Sequence, residues 1–302
     1  MLGREEAPEV CESIAAFVRR QLENSERAGV AIGMSGGLDS TVTAALCVRG
    51  VGPGHVRGYF LPEKEGPSSD SADAELVADW LGIPLETHDL TGALGEIGVY
   101  DFVLSKVPGD VLRSAIVRGA YGLRRLLSGE DPLAGGQAGS KSAAVSRATA
   151  HFKVRHRMRM VTLFFRAERR NLLVAGAANL TERLTGIYTR FGVDDCAAIM
   201  PIAGLYRTEV LRLAESLGVP EAVRRKRPAP GIIPGVKDKY VYLLDLESET
   251  LDRVLEEIVR GVSAAEAAGK HDVPLEKVER VMSAVSSARH LLDMPLEPAL
   301  GR

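Results

Sequence analysis

The chain has 302 residues, 45% of them hydrophobic, which suits one large α/β domain or two small ones. Its 38 basic and 40 acidic residues leave a formal charge of −2, so bulk electrostatics select no polyanionic partner. No window approaches the ~18 uninterrupted apolar residues of a membrane span, and the mixture of acids and apolar residues from Met1 to Glu23 is unlike a secretory leader.

Val10, Ile14, Phe17, Val18 and Leu22 recur at helical spacing and predict an amphipathic helix over 8–23. Val30 to Ile32 form a short buried strand, followed by a glycine-paired turn and a helix to about Arg49. A second strand is expected over 55–61, then a polar Gly/Pro/Ser loop over 62–70. A helix over 71–81, closed by Gly82, leads to a third strand over 83–90. Residues 91–128 are expected to be helical and 129–143 a mobile loop. A basic helix over about 144–168 follows, with strands at 171–176 and 197–201 and a helix at 205–217 stopped by Gly218. Residues 224–238 are expected to be loop, with helices over 246–262, 264–268 and 275–292.

Strands alternating with helices imply an α/β fold, a doubly wound, mainly parallel five-stranded sheet. The expected layout is one domain over 1–302 with a helical C-terminal extension from 246. The three cysteines, Cys11, Cys47 and Cys196, are scattered without metal-type spacing and fit a reducing cytoplasm. The six histidines show no ligand spacing either. Between Arg147 and Arg170 eight Lys/Arg face one acid, Glu168, either a solvated face or a polyphosphate or nucleic-acid site.

The chemistry concentrates in Gly33-Met34-Ser35-Gly36-Gly37-Leu38-Asp39-Ser40. A strand, a glycine turn and a helix start expose backbone N–H groups at the positive end of a helix dipole, where phosphate collects. The turn lacks the lysine of a Walker loop. Asp39 is an acid where an anion site should not want one, unless it holds a divalent cation that bridges to the phosphates. A second strand-to-turn string, Val174 to Glu182, delivers Asn179 and Glu182 to the same sheet edge. Two carboxylates beside a phosphate cradle are the minimum protein share of a Mg²⁺ site. Read alone, Glu182 is equally a helix-capping acid, and the glycine turn an ordinary connection.

Ser35-Gly36-Gly37-Leu38-Asp39-Ser40 resembles the pyrophosphate loop of the N-type ATP pyrophosphatases. With Arg157–Met160, Gly176–Glu182, Gly186–Gly192, Pro201–Val210 and Lys226–Gly231 in that order, the chain resembles the NAD synthetases over about residues 10–295. The resemblance implies an adenine-nucleotide α-hydrolase-like fold and a homodimer. It implies ATP at Gly33–Ser40, Arg207 and Lys226, and Mg²⁺ at Asp39 and Glu182. It places a nicotinate dinucleotide at Arg157, Asn179, Arg190, Asp194 and Asp238, with Asp39, Glu182 and Lys226 central to catalysis. No part of the chain resembles a glutaminase, so free ammonia or a separate glutaminase would supply nitrogen.

The chain departs from the family pattern at Ala177, Ala198 and Ala229, where polar residues are usual, and at Arg190 and Arg207, where lysine is usual. It also reads Lys237-Asp238-Lys239 for a Thr-Asp-Glu string. These departures keep open an amide ligase for another small carboxylate. The basic stretch 147–170 keeps open a tRNA-modifying relative, and a non-catalytic nucleotide sensor is a further class, opposed by the retained Asp39 and Glu182. The RNA reading is weakened by the absence of cysteine pairs and of an evident basic RNA-binding domain.

Overall fold

A computed structural model describes residues 2–66, 70–101, 142–230 and 236–292, with the single positions 107 and 119. Four parallel strands, β1 (Gly29–Gly33), β2 (Val56–Phe60), β3 (Leu85–Thr87) and β4 (Leu172–Ala175), are ordered β3-β2-β1-β4. Around them lie α1 (Ala7–Glu23), α2 (Leu38–Val51), α3 (Asp70–Leu81), α4 (Thr91–Glu96), α5 (Ala143–Glu168), α6 (Leu180–Thr185), α7 (Arg207–Ser216) and α8 (Glu221–Arg224). The C-terminal part adds α9 (Lys239–Leu244), α10 (Ser248–Val259), α11 (Ala264–His271) and α12 (Leu275–Leu292).

Alternation along the strands divides the core into two layers. Val30 and Ile32 of β1 and Val56 of β2 join Val18, Leu46, Val77 and Leu213 on one face. Ala31, Tyr59 and Val174 join Leu94 and Leu163 on the other, under α4 and α5. Ile32, Leu46 and Leu163 are fully buried, each contributing ~2 kcal/mol of transfer free energy. The central strands β1 and β2 are buried on both faces, as parallel strands covered by helices must be, while the edge strand β3 is only partly buried. A third cluster, with Tyr240, Leu251, Val254 and Val281, holds the C-terminal helices together and reaches Leu180 and Leu184 of α6 and Tyr206 before α7.

This topology fixes where ligands gather. From β1 the chain winds outward through β2 to β3, then returns to place β4 on the other side of β1. The turns after β1 and β4 therefore flank the crevice where the winding reverses, the usual ligand position in an open parallel sheet.

The expected fifth strand at 197–201 is, among the described residues, a single parallel bridge between Ala175 and Ile199. Pro201 has no N–H to extend the ladder, and turns begin there. Of the helical region expected over 91–128, α4 and a short 3₁₀ turn at Val99–Asp101 are described, and apart from positions 107 and 119 the remainder lies outside the described residues. The same holds for 129–141 of the expected mobile loop, for 67–69 and 231–235 of two further loops, and for the extension beyond Leu292.

Candidate active site

The turn after β1 is held open by its own hydroxyls. Ser40 Oγ and Thr41 Oγ1 donate to the Gly37 carbonyl at 3.1 and 2.8 Å, and the Gly37 N–H donates to Ser35 Oγ at 3.3 Å. Gly36 has φ +68, and a Cβ there would sit 2.4 Å from the Cβ of Asp73, so only glycine fits. The turn delivers Asp39 at the second position of α2.

Asp39 is gripped from both sides. Asn179 Nδ2 donates to Oδ1 at 3.0 Å, and Arg207 Nη1 donates to Oδ2 at 2.6 Å. Asn179 is the N-cap of α6: its Oδ1 accepts the Glu182 N–H at 3.0 Å, and its own N–H donates to Glu182 Oε2 at 3.1 Å. One asparagine thus links the two acids expected to share a metal. Glu182 is at once the capping acid and a member of the site, because its other oxygen pairs with Lys239 Nζ. Burial pushes the Glu182 carboxyl up; Lys239 opposes this and the nearby charge of Asp39 adds to it.

Lys226 crosses to the glycine turn, where Nζ donates to the Gly36 carbonyl at 3.0 Å and pairs with Asp73 at the start of α3. Asp194 completes the acidic group. Burial in the crevice, then the like charge of Glu182, push it up to about 7, although 45% of its side-chain surface stays open. His156, 3.8 Å from Asp194, is driven down to about 3 by burial and by the charges of Arg159, Lys239 and Arg155, and is therefore neutral.

Other expected site residues are placed differently. Arg157 donates to the Arg190 carbonyl at 3.4 and 3.5 Å, so these two come together on the exposed side of α5. The Arg190 guanidinium stacks over Phe191. Asp238 uses Oδ1 to accept the N–H groups of Tyr240 and Val241, which makes it the N-cap of α9.

Part of the basic stretch of α5 faces inward rather than to solvent. Arg155, 1% exposed, pairs with Glu63 at 3.3 Å and with Glu65, while Arg159 Nε donates to the Leu61 carbonyl at 2.9 Å. Two of its arginines fasten the connection after β2.

Sequence reasoning passed over Lys239 as a partner of Glu182. One signal was available: a lysine at the first position of a helix opposes the dipole, and needs an acid from elsewhere. Among the described residues, no group of three or more His, Cys, Asp or Glu is arranged to hold a metal. Asp39 and Glu182, the two acids expected to take a divalent cation, are both paired with cationic side chains, Arg207 and Lys239.

The model of the family described as NAD synthase matches residues 10–99 and 135–295. The chain belongs to this family. It is similar to the NH(3)-dependent NAD(+) synthetase of Coprothermobacter proteolyticus, with 34% identity over 96% of this chain and 97% of that one. Two solved structures share the fold. The NMN synthetase of Francisella tularensis has a TM-score of 0.70 at 21% identity, covering 97% of this chain and 99% of that one. The NH3-dependent NAD synthetase of Campylobacter jejuni has a TM-score of 0.67 at 18% identity, covering 99% and 100%. No helix among the described residues of this family member is long and apolar enough to cross a membrane.

Proposed function

We propose that this chain activates the carboxylate of nicotinate adenine dinucleotide with ATP and converts it to the amide with ammonia, giving NAD. The observation that carries the reading is the Asp39–Asn179–Glu182 bridge beside a glycine turn reached by Lys226. A free carboxylate cannot expel oxide, so it must first be esterified. Its oxygen attacks the α-phosphorus of ATP, the bond to the β-phosphate breaks, and an acyl-adenylate and pyrophosphate result. Ammonia then attacks the acyl carbon and AMP leaves.

The chain's own task is to position and neutralise. The N–H groups at the start of α2 and the Lys226 ammonium face the departing phosphates. Arg207 orients Asp39, and Asn179 keeps Glu182 beside it. Asp39 and Glu182 fit Mg²⁺, which when bound would neutralise phosphate charge. Asp194 Oδ, poised near neutrality, accepts the proton that ammonium gives up. Arg157 and Arg190, brought together beside α5, would contact the dinucleotide's phosphates. The resemblance implies a homodimer, supported by the exposed Val161 and Phe165 on α5 and tested by sedimentation.

A second reading, the same chemistry on another small carboxylate, with nicotinate mononucleotide as the test case, is motivated by alanine at 177, 198 and 229. One assay separates them. The purified protein is incubated with ATP, Mg²⁺, ammonia and each acid, and AMP, pyrophosphate and amide are followed by chromatography. Turnover confined to the dinucleotide supports the first reading; turnover confined to the mononucleotide replaces it; none with either acid removes both.

A further inference from the structure

The residues that grip Asp39 are themselves fastened from the C-terminal helices. Asp252 of α10 is completely buried. Its Oδ2 accepts both the N–H and the hydroxyl of Thr208 at 2.8 Å, and its Oδ1 accepts the Thr181 hydroxyl at 2.5 Å. The same Thr181 oxygen accepts the backbone N–H of Arg207 at 2.8 Å. Thr181 precedes Glu182 in α6, and Arg207 and Thr208 are the first two residues of α7.

These four bonds satisfy two N–H groups that the start of a helix leaves unpaired. They also fix the rotation and height of α7 at the residue whose side chain reaches Asp39. Thr181 is completely buried too, so no water replaces a lost bond. A small displacement of a charged group in such a site costs far more than its surface equivalent.

We propose that Asp252, acting through the Thr181 hydroxyl, is a positioning residue that sets the Arg207 guanidinium and Glu182, making the C-terminal helical cluster a working part of the nucleotide site. The inference rests on the reading of that site as an ATP site. It assigns Asp252 no contact with substrate.

The test measures binding of the non-cleavable α,β-methylene analogue of ATP by calorimetry, alongside melting temperature. Thr181→Val should weaken binding about tenfold, and Thr181→Ser, which keeps the oxygen, should stay within about twofold of the unaltered protein. In an Arg207→Lys background, Thr181→Val should add less than about twofold, because the group it positions is already compromised. Asp252→Asn, with one acceptor oxygen where three donors converge, should follow Thr181→Val. Thr208→Ala, which keeps the N–H bond, should give a smaller loss and serves if the other variants fail to fold. Equal losses with and without Arg207→Lys, or a lowered melting temperature with unchanged affinity, would overturn the positioning role. If the unaltered protein does not bind the analogue, the ATP reading itself falls and the inference with it.

Discussion

Arg207 Nη1 lies 2.6 Å from Asp39 Oδ2, joining two positions 168 residues apart in the chain. The pair is largely screened from solvent, with the arginine side chain 8% exposed. Each charge therefore depends on the other, and on Asn179 at the second Asp39 oxygen. Asp39→Ala is expected to lower pyrophosphate release roughly a thousandfold, by removing a metal ligand and releasing Arg207. It should also cost about 3 kcal/mol of stability by leaving the guanidinium unpaired, read by urea denaturation. An active variant with unchanged Mg²⁺ dependence would remove Asp39 from the site.

Lys239 competes with any cation for Glu182. Lys239→Gln should tighten binding of Mn²⁺ to the nucleotide-free protein by about tenfold, close to 1.4 kcal/mol. Calorimetry with Mn²⁺ as the probe measures it. Weaker or unchanged binding would mean that Glu182 is not a metal ligand.

Gly36 can be tested by adding one carbon. Gly36→Ala combines a left-handed backbone, φ +68, with a Cβ 2.4 Å from that of Asp73. The expected loss is about 3 kcal/mol, from ~1 kcal/mol of backbone strain and ~2 kcal/mol of overpacking. Because Asp73 holds Lys226, ATP affinity should fall as well. Gly204→Ala, at a position where a Cβ meets nothing within 4 Å, is the control and should do neither.

The position of Asp194 predicts a pH signature. Its carboxyl is pushed up to about 7, so it is protonated and idle below that pH and ionised above it. If it takes the proton of ammonium, kcat/KM for total ammonia should rise tenfold per pH unit below about 7 and then level off. In Asp194→Asn the rise should continue without a plateau until ammonium loses its proton unaided. A plateau at the same pH in the variant would assign the proton transfer elsewhere.

Much of this architecture was legible in the amino-acid order. The alternation of short apolar runs with helical periodicity gave the parallel sheet, and α12 spans the predicted 275–292. The turn from Gly33 to Ser40 was legible as structure because it is local: a strand end, two glycines and a helix start need no distant partner to form it. Asp238 shows the opposite case. The resemblance implies substrate binding there, and what the structure adds is that its Oδ1 caps the first turn of α9, satisfying N–H groups that a helix start leaves unpaired.

The sequence by itself determined the strand-turn-helix units, the identity of the acids Asp39 and Glu182, and the family, because these rest on residues adjacent in the chain. Only the tertiary structure decided which cation serves which acid. Arg207 went to Asp39, Lys239 to Glu182, Lys226 to Asp73 and Arg155 to Glu63 and Glu65. Ion pairing carries no sequence period; it follows from which side chains the reversal of winding beside β1 brings together out of water.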